Sequence, residues 1–279
     1  METEMASNES RIPGDRVLYH YTTLGSAEKI IRSCELWATN IYYLNDVSEF
    51  GHGVDLMRSI WREVSSMDHR SKDFLDAIEW PTRRPDLNVF VVSFSEIGDL
   101  LSQWRSYCSA NRGISLGFLA SDLQKQGTLH GFNLVQCNYD VNHQRAVIAT
   151  LVKEWTATYA DALINGDPAD VIQRFAKEFA HVAASFKHGS FAEEREWRLV
   201  AVSDHENPEI RYREGLSTLI PYLTFRLPID EKQRLLMRHA IVGPTPHPDL
   251  TYVSVRQMAK NFKVRYGQIS FSNSPVRAW

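Results

Sequence analysis

The chain has 279 residues, 43% of them hydrophobic and 23% charged, and a net charge of −3. This composition excludes disordered, fibrous and collagen-like classes. It also excludes nucleic-acid binding through bulk basic charge, while leaving room for a local patch. No apolar run approaches the roughly 18 residues a membrane helix needs, so no membrane partner is expected. Residues 1–15, METEMASNESRIPGD, are polar and lack an apolar h-region, so they read as a flexible leader and not as a signal peptide. Cys34, Cys108 and Cys137 are odd in number and widely spaced. They form neither a disulfide framework nor a zinc knuckle, which fits a cytoplasmic protein with buried or spare thiols.

Val17 to Thr22 is rich in β-branched and aromatic residues and predicts a short strand. Ser26 to Ser33 predicts a helix that Thr22 or Thr23 can cap. Leu36 to Thr39 predicts a second short strand, Leu44-Asn45-Asp46 a turn, and residues 47–66 and 70–79 helices. Asn88 to Ser95, NVFVVSFS, is the strongest strand signal, and its apolar run suits a strand buried on both faces. Asp99 to Cys108 predicts a helix with Leu100, Leu101, Trp104 and Tyr107 or Cys108 on one side, and Gly113 to Phe118 a further strand. Two long helices follow. Val147, Ile148, Leu151, Val152, Trp155 and Tyr159 recur at helical spacing in the first, and Val171, Ile172, Phe175, Phe179, Val182 and Phe186 in the second. Gly166-Asp167-Pro168 divides them into a hairpin over 140–188, which is expected to project as a subdomain and to offer a surface to a protein partner. Strands near 195–202, 209–214, 218–226 and 238–243, a helix near 249–260 and a strand near 264–271 complete the chain. The irregular alternation predicts one α+β domain over 16–279, with a mixed, mostly antiparallel sheet and an inserted helical hairpin.

Four segments carry candidate chemistry. Tyr19-His20-Tyr21-Thr22 ends the first strand, where His20 could bond a ribose hydroxyl or serve as a structural histidine beside a capping threonine. Asn45, Asp46 and Glu49 could hold a cation or form a helix cap. Ser93 and Ser95, two apart on a strand, would direct both hydroxyls to one cleft, with Phe94 turned into the core. Trp104 and Tyr107, three apart on a helix, would share a face able to receive a planar ring. Strand alternation from Glu194 to Glu196 would put both carboxylates on one side, with Arg195 and Trp197 on the other. Paired carboxylates in a cleft can stabilise a cationic sugar, and the same pair on an edge strand can be merely solvated. No G-x-G-x-x-G loop, Walker A sequence, HExxH or G-x-S-x-G elbow is present.

In order, YHYT, LWATN, LNDVSEF, VVSFSE, LLSQWRSYCSANRGISLGF and FAEEREWRLV resemble a bacterial family catalogued as a domain of unknown function. The likeness extends to Ile241-Val-Gly-Pro244 and Ser270-Phe-Ser-Asn-Ser274 and covers about residues 17–275. That family is similar in motif order to ADP-ribosyltransferase folds. The resemblance implies NAD as substrate, with His20, Tyr19 and Thr22 on its ribose, phosphate or amide groups, and Ser93 and Ser95 holding the ribose or the glutamate. It further implies Trp104 and Tyr107 packing the nicotinamide, Glu196 binding the ribose 2′-hydroxyl, and Glu194 orienting or activating an acceptor. The acceptor would be protein, nucleic acid or water, in a toxin or defence setting. Two alternatives stand beside it. One is a metal-dependent nuclease using Asp46, Glu49, Glu194 and Glu196, and the other a non-catalytic module that binds a nucleotide or a partner.

Overall fold

The computed structural model describes residues 16–44, 48–65, 69–78, 87–108 and 113–274. Asn45 and Asp46, and the leader expected at 1–15, lie outside them. In chain order the elements are β1 (Val17–Thr23), α1 (Leu24–Ser33), β2 (Glu35–Asn40), a 3-10 turn (Ile41–Tyr43), α2 (Ser48–Ser65), α3 (His69–Ala77), β3 (Leu87–Ser95), α4 (Leu101–Tyr107), β4 (Gly113–Leu119), α5 (Ala120–Leu129), β5 (Asn133–Gln136), α6 (Val141–Asn165), α7 (Pro168–Ala183), a second 3-10 turn (Gly189–Glu194), β6 (Glu196–Asp204), β7 (Arg211–Glu214), β8 (Leu219–Arg226), β9 (Leu236–Val242), α8 (Pro248–Asn261) and β10 (Arg265–Phe271). The expected α+β class with mostly antiparallel pairing is present. The short α5 and β5 were not anticipated. Gly127 within α5 weakens its helical signal, and β5 is only four residues long.

The elements gather into two compact units, each built from separated stretches of chain. Among the described residues, unit 1 holds those within 16–32, 98–126 and 228–274, and unit 2 those within 33–97 and 127–227. In unit 1, β1 pairs antiparallel with β4, β4 antiparallel with β9, and β9 parallel with β10. Thr23 supplies the cap of α1, its Oγ1 accepting from Ser26 N at 3.2 Å, so the cap falls on the second of the two threonines. Tyr21, Trp104, Cys108 and Ile241 form a small core, with Tyr21 edge-on to Trp104 at 4.7 Å between ring centroids. Two glycines make room for the indole. A Cβ on Gly243 would stand 2.9 Å from Trp104 Cζ3, and one on Gly113 would stand 2.3 Å from Cys108 Cβ. Side chains at these positions would collide with the core.

In unit 2 the strands run in the order β5, β6, β3, β2, β8, β7, all antiparallel. β3 is buried along most of its length on both faces, as its apolar run requires. On one face Val89, Val91 and Val200 meet a helical layer that includes Ile148, Leu151, Phe175 and Phe179. Asp140 caps α6, accepting from Asn142 N and His143 N, and Asp167 caps α7 ahead of Pro168. The hairpin therefore packs on the sheet and does not project from it. Its two apolar stripes are wide enough to be buried, and Phe175 and Phe179 are fully inaccessible. Truncating one such phenylalanine to alanine costs about 3–5 kcal/mol, so the hairpin is part of the core of unit 2. No helix among the described residues is long and apolar enough to cross a membrane.

Candidate functional site

The acidic motif sits where the second 3-10 turn gives way to β6. Glu194 is the last residue of that turn, and Arg195 follows in the left-handed conformation, at φ 43° and ψ 53°. A non-glycine residue held there costs of order 1 kcal/mol, and the turn keeps it because hydrogen bonds fix the backbone on both sides of it. Ser95 Oγ donates to Glu194 O at 2.7 Å, Glu96 N to Arg195 O at 3.1 Å, and Cys137 N to Glu196 O at 2.9 Å. The left-handed residue brings the two carboxylates together by a different route from the strand alternation expected. Both converge on one ammonium: Lys187 Nζ donates to Glu194 Oε2 at 2.5 Å and to Glu196 Oε2 at 2.6 Å. On the other side, Arg198 donates from Nε to Glu196 Oε1 at 2.7 Å and from Nη2 to Oε2 at 3.1 Å, and Arg198 Nη1 donates to Ala184 O at 2.9 Å.

Two carboxylates thus face two cations in a nearly dry site. The side chains of Lys187, Glu196 and Arg198 are 3%, 5% and 1% exposed, and that of Glu194 is 14% exposed. Burial by itself pushes the Glu196 carboxyl up, but Arg198 first and then Lys187 overcome it and hold it at about 2. Glu196 is consequently ionised, with side-chain cations on both oxygens, whereas Glu194 is the member that reaches solvent. Lys187 escaped the sequence reading because it lies in a loop between periodic segments. Its position just after Phe186, at the end of an apolar stripe, is the one clue that it must carry its charge inward.

The serine pair divides its work. Ser95 is buried, donating to the Glu194 carbonyl and accepting from Ile97 N at 3.0 Å, so it clamps the glutamate-bearing turn from behind. Ser93 is half-buried. Phe94 turns into the core, 2% exposed. Nearby, Trp197 Nε1 donates to Glu96 Oε1 at 2.8 Å.

Tyr19, His20, Thr22, Trp104 and Tyr107 belong to unit 1. His20 and Thr22 lie on β1, both half-buried. Tyr19 OH stands 3.3 Å from His239 Nδ1, and His239 Nε2 stands 2.8 Å from Ser270 Oγ. Burial raises the Tyr19 hydroxyl and lowers His239. Trp104 and Tyr107 do not form one aromatic wall. Trp104 is 3% exposed within the core, and Tyr107, 43% exposed, faces outward near the end of a helix only seven residues long. Trp104 Nε1 donates to Asp99 Oδ1 at 2.6 Å. That carboxylate also accepts from Ser272 Oγ at 2.5 Å, Asn273 N at 2.7 Å and Ser274 Oγ at 3.0 Å. Burial raises the Asp99 carboxyl, yet these hydrogen bonds outweigh burial and hold it below the ordinary range. Asp99 is a hub that the motif comparison missed, and it accounts for the Ser-Asn-Ser ending.

Among the described residues, no group of three His, Cys, Asp or Glu side chains is arranged to hold a metal ion. Asp46 falls outside those residues, and Glu196 spends both oxygens on Arg198 and Lys187. A family model described as "Protein of unknown function (DUF2971)" matches residues 103–199. This stretch runs from α4 to the first half of β6 and contains Trp104, Lys187, Glu194, Glu196 and Arg198. No curated protein and no solved structure matches the chain.

Proposed function

We propose that the chain is an NAD-consuming, ADP-ribosyltransferase-like enzyme of the cytoplasm, where NAD is at hand and thiols such as those of Cys34, Cys108 and Cys137 stay reduced. The observation that carries this reading is the convergence of Glu194 and Glu196 on Lys187 at the entry to β6, with Glu194 left at the solvent edge. Supporting it, His20 lies on the first strand and Ser95 behind the glutamate turn, in the order that the motif resemblance implies.

In this reaction the bond from ribose C1′ to the nicotinamide nitrogen breaks, and nicotinamide leaves with the electron pair. An acceptor oxygen or nitrogen then bonds to C1′ and gives up its proton. The transition state is cationic at the ribose, so a fixed carboxylate beside it lowers the barrier. Glu194 is the group for that task because its side chain can meet a ligand without dismantling the cluster. Arg198 and Glu196 are positioning residues: Arg198 holds the Glu196 carboxylate, Glu196 holds Lys187, and Lys187 pins the Glu194 carboxylate. This reverses the weight that the resemblance puts on Glu196.

The test is incubation with NAD carrying a label on the adenosine side, together with candidate protein, RNA and DNA acceptors, while nicotinamide release is followed by chromatography. The proposal expects nicotinamide release and a rise in melting temperature with NAD. Absence of both would overturn it. One observation favours a second reading, a nucleotide-binding module without turnover: the charges of the cluster already neutralise one another. A rise in melting temperature with no nicotinamide released would decide for that reading.

A further inference from the structure

We propose that the open end of the unit 2 sheet, at β2, β8 and β7, is a docking surface for a single-stranded nucleic acid. Trp37 and Thr39 are two apart on β2 and share a face. The register sets Thr39 opposite Tyr222 and Tyr222 opposite Arg211, which places Arg211 and Arg213 on that same face. Two contacts bear this out. The Trp37 ring stacks on Tyr222 at 4.5 Å between centroids and 27° between planes, and Arg213 reaches across β8 so that Nη2 donates to Thr39 Oγ1 at 3.4 Å. Through Thr39 and Val91, which are also paired, this is the face that the helices cover over β3 and β6. At β2 and β8 the cover is incomplete, and Trp37 is 45% exposed although it is the largest apolar side chain on its strand.

Charge and chemistry select the occupant. Arg211, Arg213 and Arg226 all rise from this face, and none has a carboxylate within ion-pairing distance among the described residues. Arg226 stands opposite Glu35 in register without pairing to it. Among the described residues the buried Arg213 Nε has no hydrogen-bond partner, and the guanidinium's bond to the protein is the long one from Nη2 to Thr39, so the group is not committed to a carboxylate. A stacked, solvent-facing indole flanked by guanidinium groups that form no ion pair among the described residues matches nucleobases on the ring and phosphates on the arginines. Trp37 and Thr39 are about 7 Å apart along the strand, so base and phosphate contacts fall within one nucleotide of each other. The surface is an open sheet face, not the concavity that encloses a small ligand, which favours a strand over a free mononucleotide. The docking needs no NAD, so it stands or falls separately from the proposed turnover.

The experiment is fluorescence anisotropy of the full chain with labelled oligo-dT and oligo-rU of about 12 nucleotides, a length within the range of single-strand sites, measured over a salt series. Trp37→Ala is expected to weaken binding about tenfold, from loss of one stacked base. Arg213→Ala is expected to reduce the slope of log affinity against log salt by about 0.7, from loss of one phosphate contact. Both side chains are partly solvent-exposed, and circular dichroism checks that the variants fold; Trp37→Phe should restore most of the affinity. Oligonucleotide binding that is absent, or indifferent to Trp37→Ala and Arg213→Ala, would overturn the proposal. So would AMP or NAD displacing the oligonucleotide at equal nucleotide concentration, because the surface would then be a mononucleotide site.

Discussion

Replacing Lys187 with methionine removes one cation from a buried cluster while keeping its volume. Glu196 is held at about 2 against an ordinary value of 4.5, which at about 1.4 kcal/mol per tenfold represents about 3 kcal/mol of preference for the ionised form. Arg198 supplies the larger share of that preference, but Lys187 also serves Glu194. Severing one partner of a buried ion pair costs about 3–5 kcal/mol in its own right. The account therefore expects Lys187→Met to lose about 3 kcal/mol at neutral pH, or about 6 °C in melting temperature for a chain of this size. The sign with pH follows from the depressed carboxyl. Glu196 contributes its stability in full above its unfolded value of 4.5 and loses it as the pH falls toward about 2. In the variant its folded value lies closer to the unfolded one, so the gap between variant and wild type must narrow on acidification. Urea unfolding followed by tryptophan fluorescence at neutral pH and near pH 3.5 measures both quantities. A deficit below about 1 kcal/mol at neutral pH, or one that acid leaves unchanged, would refute the reasoning that this cluster is dry and mutually dependent.

Three further outcomes follow from the same geometry. Asp99→Asn keeps the shape but cannot accept from Trp104, Ser272, Ser274 and Asn273 together, and should cost about 2 kcal/mol, with faster amide exchange at Ser272 to Ser274. Because the Asp99 carboxyl is held below its ordinary value, its contribution is present above the unfolded value and fades as the pH falls, so the asparagine variant should be the less acid-sensitive of the two. Arg195→Gly removes a side chain from the left-handed region and should gain up to about 1 kcal/mol in thermal unfolding; a loss would mean that the arginine side chain contributes to the turn. Gly113→Ala drives a Cβ to 2.3 Å from Cys108 Cβ and should cost about 1–3 kcal/mol by overpacking, with the near-ultraviolet signal of Trp104 disturbed.

Much of the architecture was legible because the long elements repeat cleanly: NVFVVSFS reads as a doubly buried strand, and the stripes of α6 and α7 read as helices. Where those stripes pack was not legible, since an apolar stripe states that a surface must be buried and not what buries it. The glutamate pair was visible as Glu-x-Glu, but its geometry rests on Arg195 adopting a conformation that no arginine advertises. Lys187 was invisible for the complementary reason: lysine is ordinarily solvated, and only the fold shows that two carboxylates enclose it. Trp104 and Tyr107 share a face by helical spacing, yet α4 is short enough that one enters the core while the other overhangs it. Trp37 passed as an ordinary strand residue because alternation does not reveal which part of a sheet face the helices leave uncovered.

The claim that Glu194 is the carboxylate facing the ribose is tested most directly by steady-state nicotinamide release from NAD with Glu194→Gln beside the wild type. The predicted result is a fall in kcat/KM of about 10²–10³-fold in protein that circular dichroism shows to be folded, with a melting temperature lowered by no more than a few degrees, because Lys187 keeps Glu196 when it loses the Glu194 charge. Unchanged turnover in Glu194→Gln would contradict it.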